Sequence, residues 1–282
     1  MSANRAANIY CRSAKNHPGI GICCPLGEPL VGRTENASLP GHFSLTTPFQ
    51  CGPQRLDIQQ GTMTKDLFAI DASAQLSEGY IDGQIPYLTI DNIFAQPSDV
   101  RAAALELPFS SGTAHYPGRI ARFPPGNPSL TELLRKLVEL VTREYLPRLP
   151  ALAGGKRLTR VRGVDTDFAI IDRHPSELTA TQRAPHTDAV PVFGLVYLNE
   201  EPRGGTLFFK PRGQVVVDGA ERSGYPKSDE KLEVCGHIEG RFNRLAIYPG
   251  FVHHSGEIDG DWIENQERYT SPRLTQRIAF FF

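Results

Sequence analysis

No stretch of this 282-residue chain approaches the 18 or so consecutive apolar residues that a membrane-crossing helix needs. The first residues carry scattered basic side chains with no apolar run behind them, so a secretory signal is not indicated and a cytoplasmic location is the expectation. Charge of either sign is not in excess. The formal net charge is −1 and the sequence pI is about 6.7, which gives no bulk electrostatic reason to expect nucleic acid or an anionic membrane as partner. Five cysteines (Cys11, Cys23, Cys24, Cys51 and Cys235) form no CxxC pair, so neither a zinc ribbon nor a disulfide framework is expected. Absent too are GxGxxG, GxxxxGK[ST] and GxSxG, which removes the common dinucleotide, P-loop and α/β-hydrolase signatures.

Residues 1–62 lack helical or strand periodicity and are rich in Gly, Ser, Asn and Pro, with Pro18, Pro25, Pro29, Pro40, Pro48 and Pro53 spread through them. Such a stretch buries too little apolar surface to offset the entropy of ordering it. It is expected to be either a disordered extension or a start-site artefact with Met63 as the working start. Residues 63–282 are expected to form one domain.

From residue 64 the pattern is α+β. Asp66–Ile70 and Tyr87–Phe94 read as strands, and Ser98–Leu107 as a short helix capped by Ser98. A stronger helix starts at Ser129, where Ser129 and Glu132 form a capping-box pattern. Its leucines recur at helical spacing to about Leu146, and Pro147 and Pro150 end it. Beyond Arg160 come β-branched or aromatic runs separated by turn residues: Val161–Ile171, Val192–Leu198, Thr206–Lys210, Gln214–Val217, Leu245–Tyr248 and Leu274–Phe281. Helices followed by many short strands predict an antiparallel sandwich or barrel with helical support at about 95–150 and a β core at about 160–282.

Three segments of the second half carry chemistry. In His186-Thr187-Asp188 an extended backbone turns residues i and i+2 to one side, so an imidazole and a carboxylate converge. Residues 244–256 hold a strand ending at Tyr248-Pro249, followed within a turn by His253 and His254. Two histidines and one carboxylate make the facial triad that leaves positions open on Fe(II), whereas a structural zinc site closes itself with a further Cys or His. Only one of the adjacent pair can join, because neighbouring strand side chains diverge. On the last run, Arg273, Thr275 and Arg277 share one face, and an arginine turned inward asks for an anion.

The order HxD, Val196-Tyr197-Leu198-Asn199, Gly204-Gly205-Thr206-Leu207-Phe208, a distal His after a Tyr-Pro turn, then Arg-x-Thr resembles the 2-oxoglutarate/Fe(II) dioxygenase superfamily, in its prolyl-hydroxylase-like branch. The likeness covers about residues 160–282. It implies a double-stranded β-helix (jelly roll) core with N-terminal supporting helices. The metal ligands it implies are His186, Asp188 and His254, with His253 as the alternative. Fe(II), 2-oxoglutarate and O2 are the implied cofactor and co-substrates, with Arg273 and Thr275 anchoring the far carboxylate of 2-oxoglutarate and Arg277 the second choice of anchor. Tyr197, on the strand face of Leu195, is a further candidate contact, with a core tyrosine of satisfied hydroxyl as the rival reading. Asp188 fills the position that halogenating relatives leave to a small residue, which points to hydroxylation-type chemistry. A small molecule such as an amino acid or specialised metabolite is the expected substrate; a peptide or protein side-chain hydroxylase and a non-catalytic jelly-roll binding module are the alternatives.

Two further segments are of interest. Tyr116-Pro117-Gly118-Arg119 reads as a surface turn with a contact over the site as the rival reading, and residues 211–240 read as a polar insertion able to form a lid. His115, His174 and His237 have no spacing partner.

Overall fold

The structure, a computed structural model, describes residues 66–112, 116–152, 155–201, 204–214, 224–226, 231–258 and 272–282. Within them the strands are β1 (Gln75–Ile81), β2 (Ile85–Asp91), β3 (Ser110–Ser111), β4 (Arg119–Ala121), β5 (Gly163–Ile171), β6 (Val192–Tyr197), β7 (Thr206–Pro211), β8 (Leu232–Ile238), β9 (Arg244–Pro249), β10 (His253–Gly256) and β11 (Arg273–Phe281). The helices are α1 (Pro97–Leu105), α2 (Pro128–Leu140) and the short α3 (Ala180–Arg183). The proposed extension over residues 1–62, His115 and nearly all of the expected strand Gln214–Val217 lie outside the described residues.

Every strand pairing among the described residues is antiparallel. Eight strands form a large sheet in the order β1-β2-β9-β6-β11-β5-β4-β3, and three form a small one in the order β10-β7-β8. The alternation of side chains along β6 explains why the large sheet is covered on both faces. Val192, Val196 and Leu198 join the core cluster under α2, whereas Leu195 and Tyr197 join a second cluster against Phe208 and Ile238 of the small sheet. On β9, Leu245 and Ile247 face the helices, and Ala246 and Tyr248 face the small sheet. A strand buried on both sides reads as a continuous apolar run, and that is how these strands stand out in the sequence. Strand β11 follows the same rule only on its helical side. Leu274, Ile278 and Phe280 enter the core there, while the opposite side carries Arg273, Thr275 and Arg277.

Helix α2 buries Leu130, Leu133 and Leu137 and runs on through a π-helical turn, Val141–Tyr145, into a 3-10 turn at Leu146–Arg148. Its cap is Asn127, whose side chain accepts from the Leu130 N–H at 2.9 Å, and not Ser129. Pro128 has no N–H to satisfy and takes the first helical position, so the cap falls one residue before it. Ser129 instead accepts from the Phe68 N–H at 3.0 Å and ties down the segment before β1. The same shift occurs at α1, where Pro97 starts the helix after Gln96 and Ser98 is not its cap. Asp66–Ile70 is a turn with one bridge, Ile70 to Phe94, and not a strand. Residues 232–238, expected within a lid, are β8, paired to β7. Among the described residues no helix is long and apolar enough to cross a membrane.

Candidate metal centre

The segment after α3 reaches the small sheet through a reciprocal pair of backbone bonds. The His186 N–H donates to the His254 carbonyl at 2.9 Å, and the His254 N–H donates back to His186 at 2.8 Å. Two residues on, the Asp188 N–H donates to the Gly250 carbonyl at 2.8 Å. Gly250 is needed for this approach: a Cβ there would stand 2.2 Å from the Val190 carbonyl oxygen and 3.1 Å from the Asp188 Cβ. The extended backbone turns His186 and Asp188 to one side, and β10 delivers His254 between them. Ligand atoms of these three residues lie within 4.8 Å of one another. His253, the alternative ligand, is not part of this group, since adjacent side chains of β10 point to opposite sides.

Second-row contacts fix the imidazoles. His254 Nδ1 lies 2.8 Å from the Val252 carbonyl and His186 Nδ1 lies 3.4 Å from the Ala184 carbonyl, an arrangement that holds the proton on Nδ1 and leaves Nε2 to offer a lone pair. His254 Nε2 and Asp188 Oδ2 stand 3.1 Å apart. The distance is that of a hydrogen bond, yet no donor among the described residues meets the geometry of one at the buried Asp188 Oδ2. Ligands at right angles on one ion, each at about 2.1 Å, stand about 3 Å apart, so an ion bound between these atoms would satisfy the orphaned oxygen. The donor set and spacing fit a divalent metal.

Electrostatics among the three side chains follow from crowding. Burial and the nearby His254 push the His186 pKa below its ordinary value. Burial also pulls His254 down, but the attraction of Asp188 outweighs it and the net shift is upward. For Asp188, burial raises the pKa, and the combined pull of His254, His186 and Arg277 leaves it below the usual carboxylate value.

The triad lies in the wall of a cavity of about 380 Å³. Arg273, Thr275 and Arg277 line it from β11, Thr206 from β7 and Tyr248 from β9. The two arginines are held differently. Arg277 makes a two-pronged pair with Asp167 of β5 (2.6 and 2.7 Å) and lies over the Tyr116 ring at 5.0 Å. Arg273 is only 5% exposed and has no carboxylate partner among the described residues; its Nε donates to the Gly204 carbonyl at 3.0 Å and one terminal nitrogen to Gly205 at 3.4 Å. Gly204 (φ +72°) packs so tightly on this side chain that a Cβ there would come 3.1 Å from the Arg273 Nε. The carbonyls orient the guanidinium without neutralising it, so a buried positive charge faces the cavity.

Tyr197 takes the core position that was its rival reading. It is fully buried and not on the cavity wall; its hydroxyl meets the Thr206 hydroxyl at 2.6 Å, and burial pushes its pKa up to about 12. Thr206, which crosses from the small sheet, takes the lining position. Tyr116 and Pro117 line the cavity, so the segment read as a surface turn belongs to the wall, while Arg119 pairs with Asp172. From the expected lid, Gly224 bonds to Thr187 (carbonyl accepting at 2.9 Å) and Tyr225 lies with its ring 6.0 Å from that of His186. His237 pairs with Glu257 and His174 caps a 3-10 turn, both away from the cavity wall. Sequence reasoning did not single out Asn199, whose side chain accepts from the Leu274 N–H at 2.8 Å and fixes the start of β11, nor Tyr248. The Tyr-Leu-Asn and Gly-Gly motifs were the available signals.

Several solved structures match the chain at low identity. They include a Pseudomonas putida prolyl-4-hydroxylase (14% identity, 74% of this chain and 94% of that one, TM-score 0.37). The non-heme alpha ketoglutarate dependent epimerase SnoN from nogalamycin biosynthesis also matches (13%, 70% and 79%, 0.42), as does an oxidoreductase of the 2OG-Fe(II) oxygenase family from Burkholderia pseudomallei (13%, 65% and 77%, 0.36). No curated protein matches the chain. Residues 72–218 and 213–280 match the model of DUF6445, and the chain belongs to that family, whose function is unknown.

Proposed function

We propose that this protein is an Fe(II)- and 2-oxoglutarate-dependent oxygenase with a double-stranded β-helix core, acting on a small molecule. One observation carries the reading: a His-Asp-His cluster with both Nε2 atoms aimed inward shares a cavity with Arg273, a buried arginine lacking a carboxylate partner among the described residues. A triad alone fits several metals, and an inward arginine alone fits any anion. Together they fit an oxo-acid that touches the metal at one end and a guanidinium at the other.

In this reading His186, Asp188 and His254 hold the iron, which supplies activation of O2 coupled to decarboxylation of the co-substrate. Arg273 binds the far carboxylate of 2-oxoglutarate in its planar fork, and Thr275, two residues along the same face, adds a hydroxyl donor. Arg277, already neutralised by Asp167, shapes the wall and is the second choice of anchor. Tyr248, Leu195, Phe193 and Ile171 keep water from the reacting groups, and Tyr116, Gln182 and Tyr225 line the same cavity where a small substrate would enter.

Anaerobic addition of Fe(II) and then 2-oxoglutarate tests the reading. A weak visible charge-transfer band is expected from the wild type and not from His254→Ala. Absence of both metal uptake and the band in the wild type would favour a non-catalytic binding module. Substrate-stimulated succinate release across amino acids and short peptides would then separate a small-molecule enzyme from a peptide hydroxylase.

A further inference from the structure

Away from the cavity, many described basic side chains have an acidic partner: Arg122 pairs with Asp165, Arg135 with Glu132 and Glu139, Lys210 with Asp82, and Arg244 with Asp91. The segment leading into β5 breaks this pattern. Lys156, Arg157, Arg160 and Arg162 are all exposed, and none forms an ion pair with a described carboxylate. Leu158 and Val161 between them are buried in the main core and fix the segment's path. With Thr159 and Phe282 these residues line an open concavity of about 520 Å³. Four like charges are thus gathered round one hollow, and a negative charge at Phe282 would not balance them.

We propose that this concavity binds a compact phosphorylated small molecule. Arginine forks match phosphate oxygens in pairs, and three of the four cations are arginines. The volume is that of a small-molecule site, and Phe282 offers a ring beside the charges. Charge distribution argues for a compact ligand. The whole chain carries −1, so with +4 in this segment the remainder carries −5 (−1 − 4). An extended polyanion or a flat anionic membrane would meet that negative remainder, whereas a ligand inside the hollow is within a Debye length, about 8–10 Å, of the four cations. The site is also separate from the metal cavity. It sits beyond the Gly163 end of β5, and Ile171 at the other end lines the cavity, eight residue steps or about 26 Å away.

Calorimetric titration of the full-length protein with tripolyphosphate at low salt tests this. Saturable binding is expected, weakened at least about tenfold in Arg157→Glu/Arg160→Glu and by rising salt. Arg273→Ala should bind tripolyphosphate like the wild type. A nucleoside triphosphate in parallel separates recognition of the phosphates from added contact with a base; tighter binding than tripolyphosphate would place a ring in the hollow, and equal binding would assign the affinity to phosphate alone, both within the proposal. All the substituted side chains of the segment are exposed, and should the double reversal not fold, Arg157→Gln/Arg160→Gln replaces it. The proposal fails if the wild type does not saturate, if the segment variants bind as well as the wild type, or if Arg273→Ala abolishes binding. It also fails if the protein binds phosphatidylserine vesicles or a single-stranded oligonucleotide but not tripolyphosphate.

Discussion

The two faces of strand β11 divide the labour of the molecule. On the helical side, Leu274, Ile278 and Phe280 pack with Phe168 and Leu245 into a core without charge. On the other side, Arg273, Thr275 and Arg277 stand in the wall of the candidate metal cavity, where, among the described residues, Asp188 Oδ2 lacks a donor and the buried Arg273 guanidinium lacks a carboxylate partner. The first face is apolar apart from Gln276, whose side-chain oxygen is also buried without a donor among the described residues. The second is arranged so that its unmet polar groups are met by something brought in. Stability should therefore depend on the helical face and ligand binding on the cavity face, and substitutions can separate the two.

The largest effect is expected on the helical side. Phe168→Ala removes a fully buried ring and should destabilise the protein by about 3–5 kcal/mol in urea unfolding, with Fe(II) affinity little changed in the folded fraction. On the cavity side, His254→Ala should weaken anaerobic Fe(II) binding by at least about 100-fold, since losing even an outer partner of a metal ligand costs 10- to 100-fold. If that variant bound iron as the wild type does, the cluster would not be the metal site. A more modest loss is expected at Arg273→Ala, which should raise the 2-oxoglutarate concentration needed for the charge-transfer band about 10- to 100-fold at unchanged Fe(II) affinity. Arg277→Ala should act differently, lowering stability by about 1–3 kcal/mol because Asp167 is left half-buried and unpaired. The reverse outcome for the two arginines would exchange their roles.

The smallest effect lies between the second and third strands of the large sheet, where Asp91 of β2 accepts from Arg244 of β9 at 2.6 and 2.9 Å. The Arg244 guanidinium holds the Asp91 carboxyl below its ordinary value of 3.8. A carboxyl with a depressed folded-state pKa contributes stability above its unfolded pKa and loses it as pH falls through the folded one. Asp91→Asn should thus cost under about 1 kcal/mol at neutral pH, given the solvent exposure of the pair, and nothing once the pH is well below 3.8. Urea midpoints of both proteins at the two pH values measure it.

What could be read from the sequence follows from the same division. Strands β6 and β9 were legible because burial on two faces leaves continuous apolar runs, and β5, β7 and β11 through their β-branched and aromatic residues. Strand β1 was not, because it is an edge strand whose residues are nearly all exposed and carry no hydrophobic alternation. Strand β10 is four residues, His-His-Ser-Gly, chosen for the site and bare of any strand pattern. Both helix caps were misassigned by reading a serine as the cap when a proline before it had already begun the helix. The triad candidates were visible through the i, i+2 rule, but selecting His254 from the 253–254 pair required the likeness to a known family. Arg273 and Arg277 share a face and could not be told apart in one dimension, because what distinguishes them is Asp167, a residue on another strand. Tyr197 was given the correct face, yet Thr206 from the small sheet intervenes.

The reciprocal His186–His254 backbone bonds join the large sheet's lead-in segment to the edge strand of the small sheet. A metal ion held by the same residues would fasten that seam a second time, through side chains, and act as a clasp across chain positions 186 to 254. Loading would then slow the separation of the sheets at this mouth, so amide hydrogens of His186, Asp188 and His254 should exchange more slowly with metal than without it, while those on β1 should not respond.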